Sequence, residues 1–326
     1  MWFGSINTGQ ALGCVLAHST RAGARNLKKG TLLEASDIDL LQAHGIGDVV
    51  VARLEADDVH EDAAAAELGS AVSGEGVRRG VATTGRCYLH AEHDGVLCLD
   101  EQLVDAINRV DPAVTLATRA GLVPVASGQT LATIKIIPFA LPSSVLAAAL
   151  ALTRGRVPAL RVAPYRPLRV GLVQTLSEGL RDEVLDKTSR VTEARLASVS
   201  ARLDGEWRCP HAAEPLAQVL SAVVRQSEPP DVVLLVGASA IVDARDVIPA
   251  AIRAAGGRVE HLGMPVDPGN LILLGSLDAR VVLGLPGCAR SPSPNGLDLI
   301  LQRLAAGQAV TPESIMRMGV GGLLKF

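Results

Sequence analysis

From residue 165 onward the chain alternates short apolar runs with longer amphipathic stretches, the pattern of strands alternating with helices. Strands are expected at Leu168–Gln174, Val232–Val236, Arg258–Leu262, Leu271–Leu274 and Val281–Leu285. Helices are expected over Lys187–Leu203, Pro215–Gln226, Val247–Ala255 and Leu297–Leu304. A run such as Val232–Val236 has no polar face, so a sheet built from it must be covered on both sides. This predicts a three-layer αβα domain over 165–326, with any ligand at the carboxyl ends of its strands.

Upstream the pattern changes to a β-rich α+β region. Ser36 is placed to cap a helix through Ala43, His44-Gly45 to stop it, and Val49–Val51 to form a strand. Asp57–Asp62 leads into a helix at Ala63–Leu68, and the glycines of Ser73–Gly80 read as a linker. Short β-prone runs follow at Arg86–Ala91, Val96–Leu99, Val123–Ala126 and Thr133–Ile137, with a hairpin turn expected at Asp94-Gly95. A helix at Glu101–Arg109 interrupts them, and Ser143 or Ser144 starts another that ends near Gly155. The three prolines of Val157–Pro167 read as an interdomain linker, giving a small module at 1–78, a β-rich region at 79–156 and the α/β domain at 165–326.

Composition narrows the function. Aromatic residues make up 2% of the 326, which leaves no stacking platform for single-stranded nucleic acid. A net charge of −3 supplies no field for a polyanion, so nucleic acid is not an expected partner. Five cysteines without paired spacing point to reduced thiols and a cytoplasmic location. The start Met1-Trp2-Phe3-Gly4 lacks the basic segment of a secretory signal. The apolar tract Ile134–Leu152 is broken by Lys135, Pro138 and Pro142, so no membrane span is expected.

Three loops carry candidate chemistry. After Val232–Val236, the small residues Gly237, Ala238 and Ser239 would let backbone N–H groups approach a phosphate, with Asp243 and Asp246 standing before a helix. Those carboxylates would repel a bare phosphate, so their use would be through Mg²⁺ on Asp246 or through amino groups of a ligand. The plainer alternative is that Asp246 caps the helix and Asp243 pairs with Arg245 in solvent. After Val281–Leu285 comes a rigid loop with Pro286, Gly287, Arg290 and Ser291, the donors a phosphate takes. Thr175 and Ser177 follow the first strand, and Asp186-Lys187-Thr188 lies just beyond; a solvated loop and helix cap fits them equally well.

Together these stretches, spanning Leu168–Ala306, resemble the molybdopterin-binding domain of the MoaB- and Mog-like adenylyltransferases and the MoeA-like molybdenum-insertion proteins. The resemblance rests on the Gly237–Pro249 loop, on Met264-Pro265-Val266-Asp267-Pro268-Gly269 at the family's Pro-Gly turn, and on Gly284-Leu285-Pro286-Gly287 before the last helix. Leu27–Val51 resembles insertion proteins more weakly. The whole looks closest to a subgroup in which this module precedes a cytidylyltransferase-like domain.

The resemblance implies molybdopterin as ligand and Mg²⁺ as a metal, with Asp243 and Asp246 in the catalytic positions. Gly237, Ala238, Ser239, Thr175, Ser177, Pro268, Gly269, Pro286, Gly287, Arg290 and Ser291 would then surround the pterin. It implies molybdate insertion of the molybdenumtransferase kind or cofactor delivery, a cytidylyltransferase or molybdoenzyme partner, and homo-oligomers. Two departures weigh against nucleotide transfer: the loop reads Gly237-Ala238-Ser239-Ala240-Ile241 where the family has consecutive glycines, and Cys288 stands in place of an asparagine. Two rivals stay open, a non-catalytic carrier or sensor of the cofactor, and a metal-dependent nucleotide pyrophosphate hydrolase similar to the competence-damage-inducible family.

Other clusters read as structure. Cys87, His90, His93 and Cys98 lack a usual zinc spacing, and on an alternating strand Cys87 and His90 face opposite ways. The acidic run Asp57–Asp62 suits a helix start.

Overall fold

The computed structural model of the protein describes residues 1–324. The chain divides into two units, Met1–Ala163 and the remainder from Pro164. Both mix helices with sheets, so the protein is of the α/β class.

In the first unit a three-stranded antiparallel sheet joins Trp2–Asn7, Asp48–Arg53 and Val15–Leu16. Leu16, Leu33, Leu41 and Val51 fill the core between this sheet and the helix Ala35–Ala43. That helix is capped by Glu34 and Asp37 in a reciprocal box, two positions before the expected Ser36 cap. A larger core of Leu68, Leu89, Leu97, Leu103 and Ile134 lies against the helix Glu61–Val72 and a four-stranded sheet ordered Val114–Thr118, Thr130–Ile136, Arg86–Ala91, Val77–Arg79.

Two expectations fail here. Asp94-Gly95 does not turn a hairpin, because Arg86–Ala91 and Gly95–Leu99 belong to different sheets, and Gly95–Leu99 sits beside Leu160–Pro164 instead. A Cβ at Gly95 would run into the Ala163 carbonyl, so the glycine serves close strand approach there. The expected linker Ser73–Gly80 contains the strand Val77–Arg79; Val157–Pro167 also holds a strand, Leu160–Pro164, but the division between the two units falls within it.

The second unit runs β1 (Leu168–Leu176), α1 (Asp182–Ala197), β2 (Ala201–Pro210), α2 (Ala213–Val224), β3 (Val232–Val236), α3 (Val247–Ala254), β4 (Arg258–Leu262), β5 (Leu273–Leu277), β6 (Arg280–Leu285), α4 (Gly296–Ala305) and α5 (Pro312–Met316). Its sheet is ordered β2-β1-β3-β6-β5-β4. β2, β1, β3 and β6 pair in parallel, while β5 is antiparallel to both neighbours. The carboxyl ends of every strand but β5 therefore share one edge.

Side chains alternate across the buried β3. Val232, Leu234 and Val236 pack under Leu196 of α1 and Leu297, Ile300 and Leu301 of α4. Val233 and Leu235 pack under Leu216 and Leu220 of α2 and Ile248 and Ile252 of α3. This is the expected three-layer arrangement. The main correction is β2, which lies partly where a helix through Leu203 was expected. α1 stops at Ala197, and Ser200 takes a positive φ of 58° that ends the helical path. No helix among the described residues is long and apolar enough to cross a membrane.

Candidate functional site: the carboxyl edge of the second unit

The loops that leave β1, β2 and β3 are tied to one another by side chains. At the end of β1 the Thr175 hydroxyl, 1% exposed, accepts the Ala238 N–H at 2.9 Å and lies 2.7 Å from His211 Nδ1. His211, just beyond β2, places Nε2 3.1 Å from the Ser239 hydroxyl. The proton positions follow from valence. One lone pair of Thr175 Oγ1 is occupied by Ala238, and the hydroxyl proton, buried, has His211 Nδ1 as its acceptor. In the uncharged ring the imidazole proton then sits on Nε2 and points at Ser239. Ser239 is exposed, so its own O–H is free to turn toward a ligand.

Gly237 fits this turn because a Cβ there would collide with the Ser239 carbonyl. Its own carbonyl accepts from Arg290 Nη2 at 2.9 Å, while Nη1 of the same guanidinium donates to Thr188 of α1 at 2.9 Å. Burial pulls the Arg290 pKa down. Arg290 thus fastens the β3 and β6 loops to α1, with three of its five N–H groups remaining beyond these two bonds. Pro286 is buried and opens the short 3₁₀ turn Gly287–Arg290; Gly287 is exposed with open space where a Cβ would stand.

The shape of that turn depends on Arg195 of α1, a residue the sequence did not single out. Its Nε donates to Asp298 Oδ1 at 2.6 Å, Nη1 to the Ala289 carbonyl at 2.9 Å, and Nη2 to the carbonyls of Ser291 at 3.0 Å and Ser293 at 3.1 Å. The Pro268 carbonyl accepts the Gly296 N–H at 2.8 Å, and Gly269, at φ 142°, leaves no room for a Cβ against Gly296. Pro268 and Gly269 are therefore packed on the start of α4.

The acidic residues hold the loop. Asp246 is the N-cap of α3, Oδ1 accepting from Val247 N at 2.8 Å and Oδ2 from Val242 N at 3.3 Å. Asp243 Oδ1 accepts from both the N–H and the Nε of Arg245 at 2.8 Å, which holds its pKa below the ordinary aspartate value. With one carboxylate bonded to backbone and the other to an arginine, the pair does not fit Mg²⁺, which takes near-octahedral oxygen ligands. Among the described residues no group of three His, Cys, Asp or Glu is arranged to hold a metal. Ser177 is exposed, its carbonyl accepting the Leu180 N–H.

The edge thus brings together Thr175, Gly237, Ala238, Ser239 and Arg290 and leaves Asp243 and Ser177 in solvent. His211 was missed. A groove of about 730 Å³ lies elsewhere, along α2 from Ala213 to Arg225, lined mainly by small side chains.

A domain of unknown function (DUF8806) matches residues 5–53. No curated protein matches the chain. Among solved structures, molybdenum cofactor biosynthesis protein B is 19% identical, covering 44% of this chain and 98% of its own, with a TM-score of 0.32. The molybdopterin biosynthesis enzyme MoaB of Thermus thermophilus is 19% identical over 48% of this chain and 99% of its own, with a TM-score of 0.30. The molybdopterin biosynthesis MoeA protein of Pyrococcus horikosii is 13% identical, covers 94% of this chain and 76% of its own, and has a TM-score of 0.31. Likeness at this level carries no argument about activity.

Proposed function

We propose that the second unit binds molybdopterin, a phosphate-bearing pterin, at the carboxyl edge of its sheet and acts in the making or maturation of the molybdenum cofactor. The carrying observation is the Ala238–Thr175–His211–Ser239 network, which sets the hydroxyl of Ser239 and the His211 Nε2 region beside the small-residue turn at Gly237. Hydroxyl and imidazole donors beside such a turn suit a phosphate or a pterin carbonyl. The order of the Gly237, Pro268-Gly269 and Pro286-Gly287 segments adds the family resemblance.

Of the chemistries open to such a site, the engagement of Asp243 and Asp246 favours binding and hand-over of the cofactor, to a cytidylyltransferase or a molybdoenzyme, over metal-assisted transfer. The test is to purify the protein from a host that makes the cofactor, denature and oxidise it, and measure pterin fluorescence. A stoichiometric signal that falls about tenfold in Ser239→Glu is expected, because the new charge opposes the phosphate at an exposed position. No pterin in the unaltered protein, even after incubation with free cofactor, removes the reading.

A further inference from the structure

The first unit contains a second concavity, of about 720 Å³, lined by Phe3, Lys29, Glu61, Arg86, Lys135 and Phe139 among others. That volume lies within the roughly 300–1,000 Å³ of small-molecule sites. One wall is apolar. Phe3 is 55% and Ile137 58% exposed, and both line the cleft with Phe139. The chain has only three phenylalanines, so two of the three stand in one cleft of a protein otherwise almost without aromatic rings.

The polar side of the cleft is basic. Lys135 Nζ is satisfied internally, by Glu61 Oε2 at 3.1 Å and the Thr84 carbonyl at 2.8 Å. Glu61, 7% exposed, is the only carboxylate on the lining, and this pairing neutralises it. Lys29 and Arg86 have no carboxylate partner among the described residues; Lys29 Nζ instead lies 5.5 Å from the centre of the Phe139 ring. Two exposed cations therefore face a half-enclosed cleft whose other wall is apolar.

We infer that this cleft binds a phosphomonoester carrying a flat ring, of nucleoside-monophosphate size, with the phosphate between Lys29 and Arg86 and the ring against Phe3 and Phe139. Charge selects the phosphate. A phosphomonoester carries about −1.5 to −2 at neutral pH, matching the two unpaired cations, whereas one carboxylate would leave a cation unmatched. Arginine can also grip two phosphate oxygens at once. The rings supply stacking surface for the flat portion.

The inference does not depend on pterin binding at the carboxyl edge, and the test keeps the two apart. The intact protein is titrated calorimetrically with AMP, CMP, GMP, adenosine and inorganic phosphate, beside the Lys29→Ala/Arg86→Ala, Phe139→Leu and Ser239→Glu variants, each first shown to unfold cooperatively. At least one nucleotide is expected to bind more tightly than both adenosine and inorganic phosphate. Its dissociation constant should rise at least about tenfold in Lys29→Ala/Arg86→Ala, rise less in Phe139→Leu and stay unchanged in Ser239→Glu. No nucleotide binding, binding that survives loss of both cations, or loss of binding in Ser239→Glu would each overturn the proposal. Inorganic phosphate binding as tightly as the nucleotide would overturn the role of the rings.

Discussion

The candidate sites of the two units use arginine in opposite ways. In the second unit Arg195, 7% exposed, donates to three backbone carbonyls and Asp298, and Arg290 bridges a carbonyl and a hydroxyl. These guanidinium groups shape loops. In the first unit Arg86 and Lys29 face a cleft and bond to no carboxylate among the described residues, while Lys135 on the same lining is tied to Glu61 and the Met1 ammonium to Asp58. An arginine in a glycine- and serine-rich loop is thus a weak sign of a phosphate site, because peptide carbonyls compete for its donors. A cation that the fold leaves unmatched is a stronger one.

This contrast can be broken by measuring stability. The largest effect is expected for Arg195→Met, which strands Asp298 and three carbonyls; chemical denaturation should show a loss of about 3 kcal/mol, toward the low end for a broken buried pair because Asp298 reaches solvent. The Lys29→Ala/Arg86→Ala protein should instead unfold within about 0.5 kcal/mol of the parent. Equal losses in the two variants would erase the distinction. Asp246→Ala removes the α3 cap and should cost about 1 kcal/mol in the same assay, whatever the ligand. A loss of pterin without any loss of stability would instead mark Asp246 as a ligand contact.

The smallest effect is confined to acid. Burial alone would raise the Glu206 pKa, but hydrogen bonds from Ser189, Arg208 and Gln174 outweigh it and hold the carboxyl below the ordinary glutamate value. A depressed carboxyl stabilises the fold above its unfolded pKa, and that contribution disappears as the pH falls through the folded value. Denaturation midpoints measured down the acid range should therefore decline less steeply in Glu206→Gln than in the parent.

Much of the second unit was legible because burial writes itself into apolar runs. Val232–Val236 forms the strand its pattern predicts, and the three-layer arrangement follows from its lack of a polar face. β2 was missed because a bulge in its middle breaks the alternation: Ala201 and Leu203 pack with the α1 and α4 layer, whereas Trp207 and Cys209 pack with the α2 and α3 layer. The helix stop is a positive φ at Ser200, which a serine does not announce. His211 was lost with the strand, since nothing placed it at the sheet edge. Arg195 was illegible for another reason. Its partners lie 94–103 residues away, and a buried arginine has the same letter as an exposed one.

The two candidate aspartates show a further limit. Asp243 and Asp246 satisfy both the capping pattern and the ligand pattern, because a helix start and an anion loop draw on the same residues. Only the hydrogen-bond partners separate the two.

β2 also bears on assembly. It is the outermost strand on its side of the sheet, ten residues long, and a bare edge of that length is a template for another chain. Arg202, Asp204, Glu206 and Arg208 load it with charge, much of it already engaged by Arg169 and Asp186, and Pro210 closes its end. A second copy seeking to lengthen the sheet there would have to disturb those contacts and strip water from them. The protein is accordingly guarded on that side against growing into a continuous ribbon.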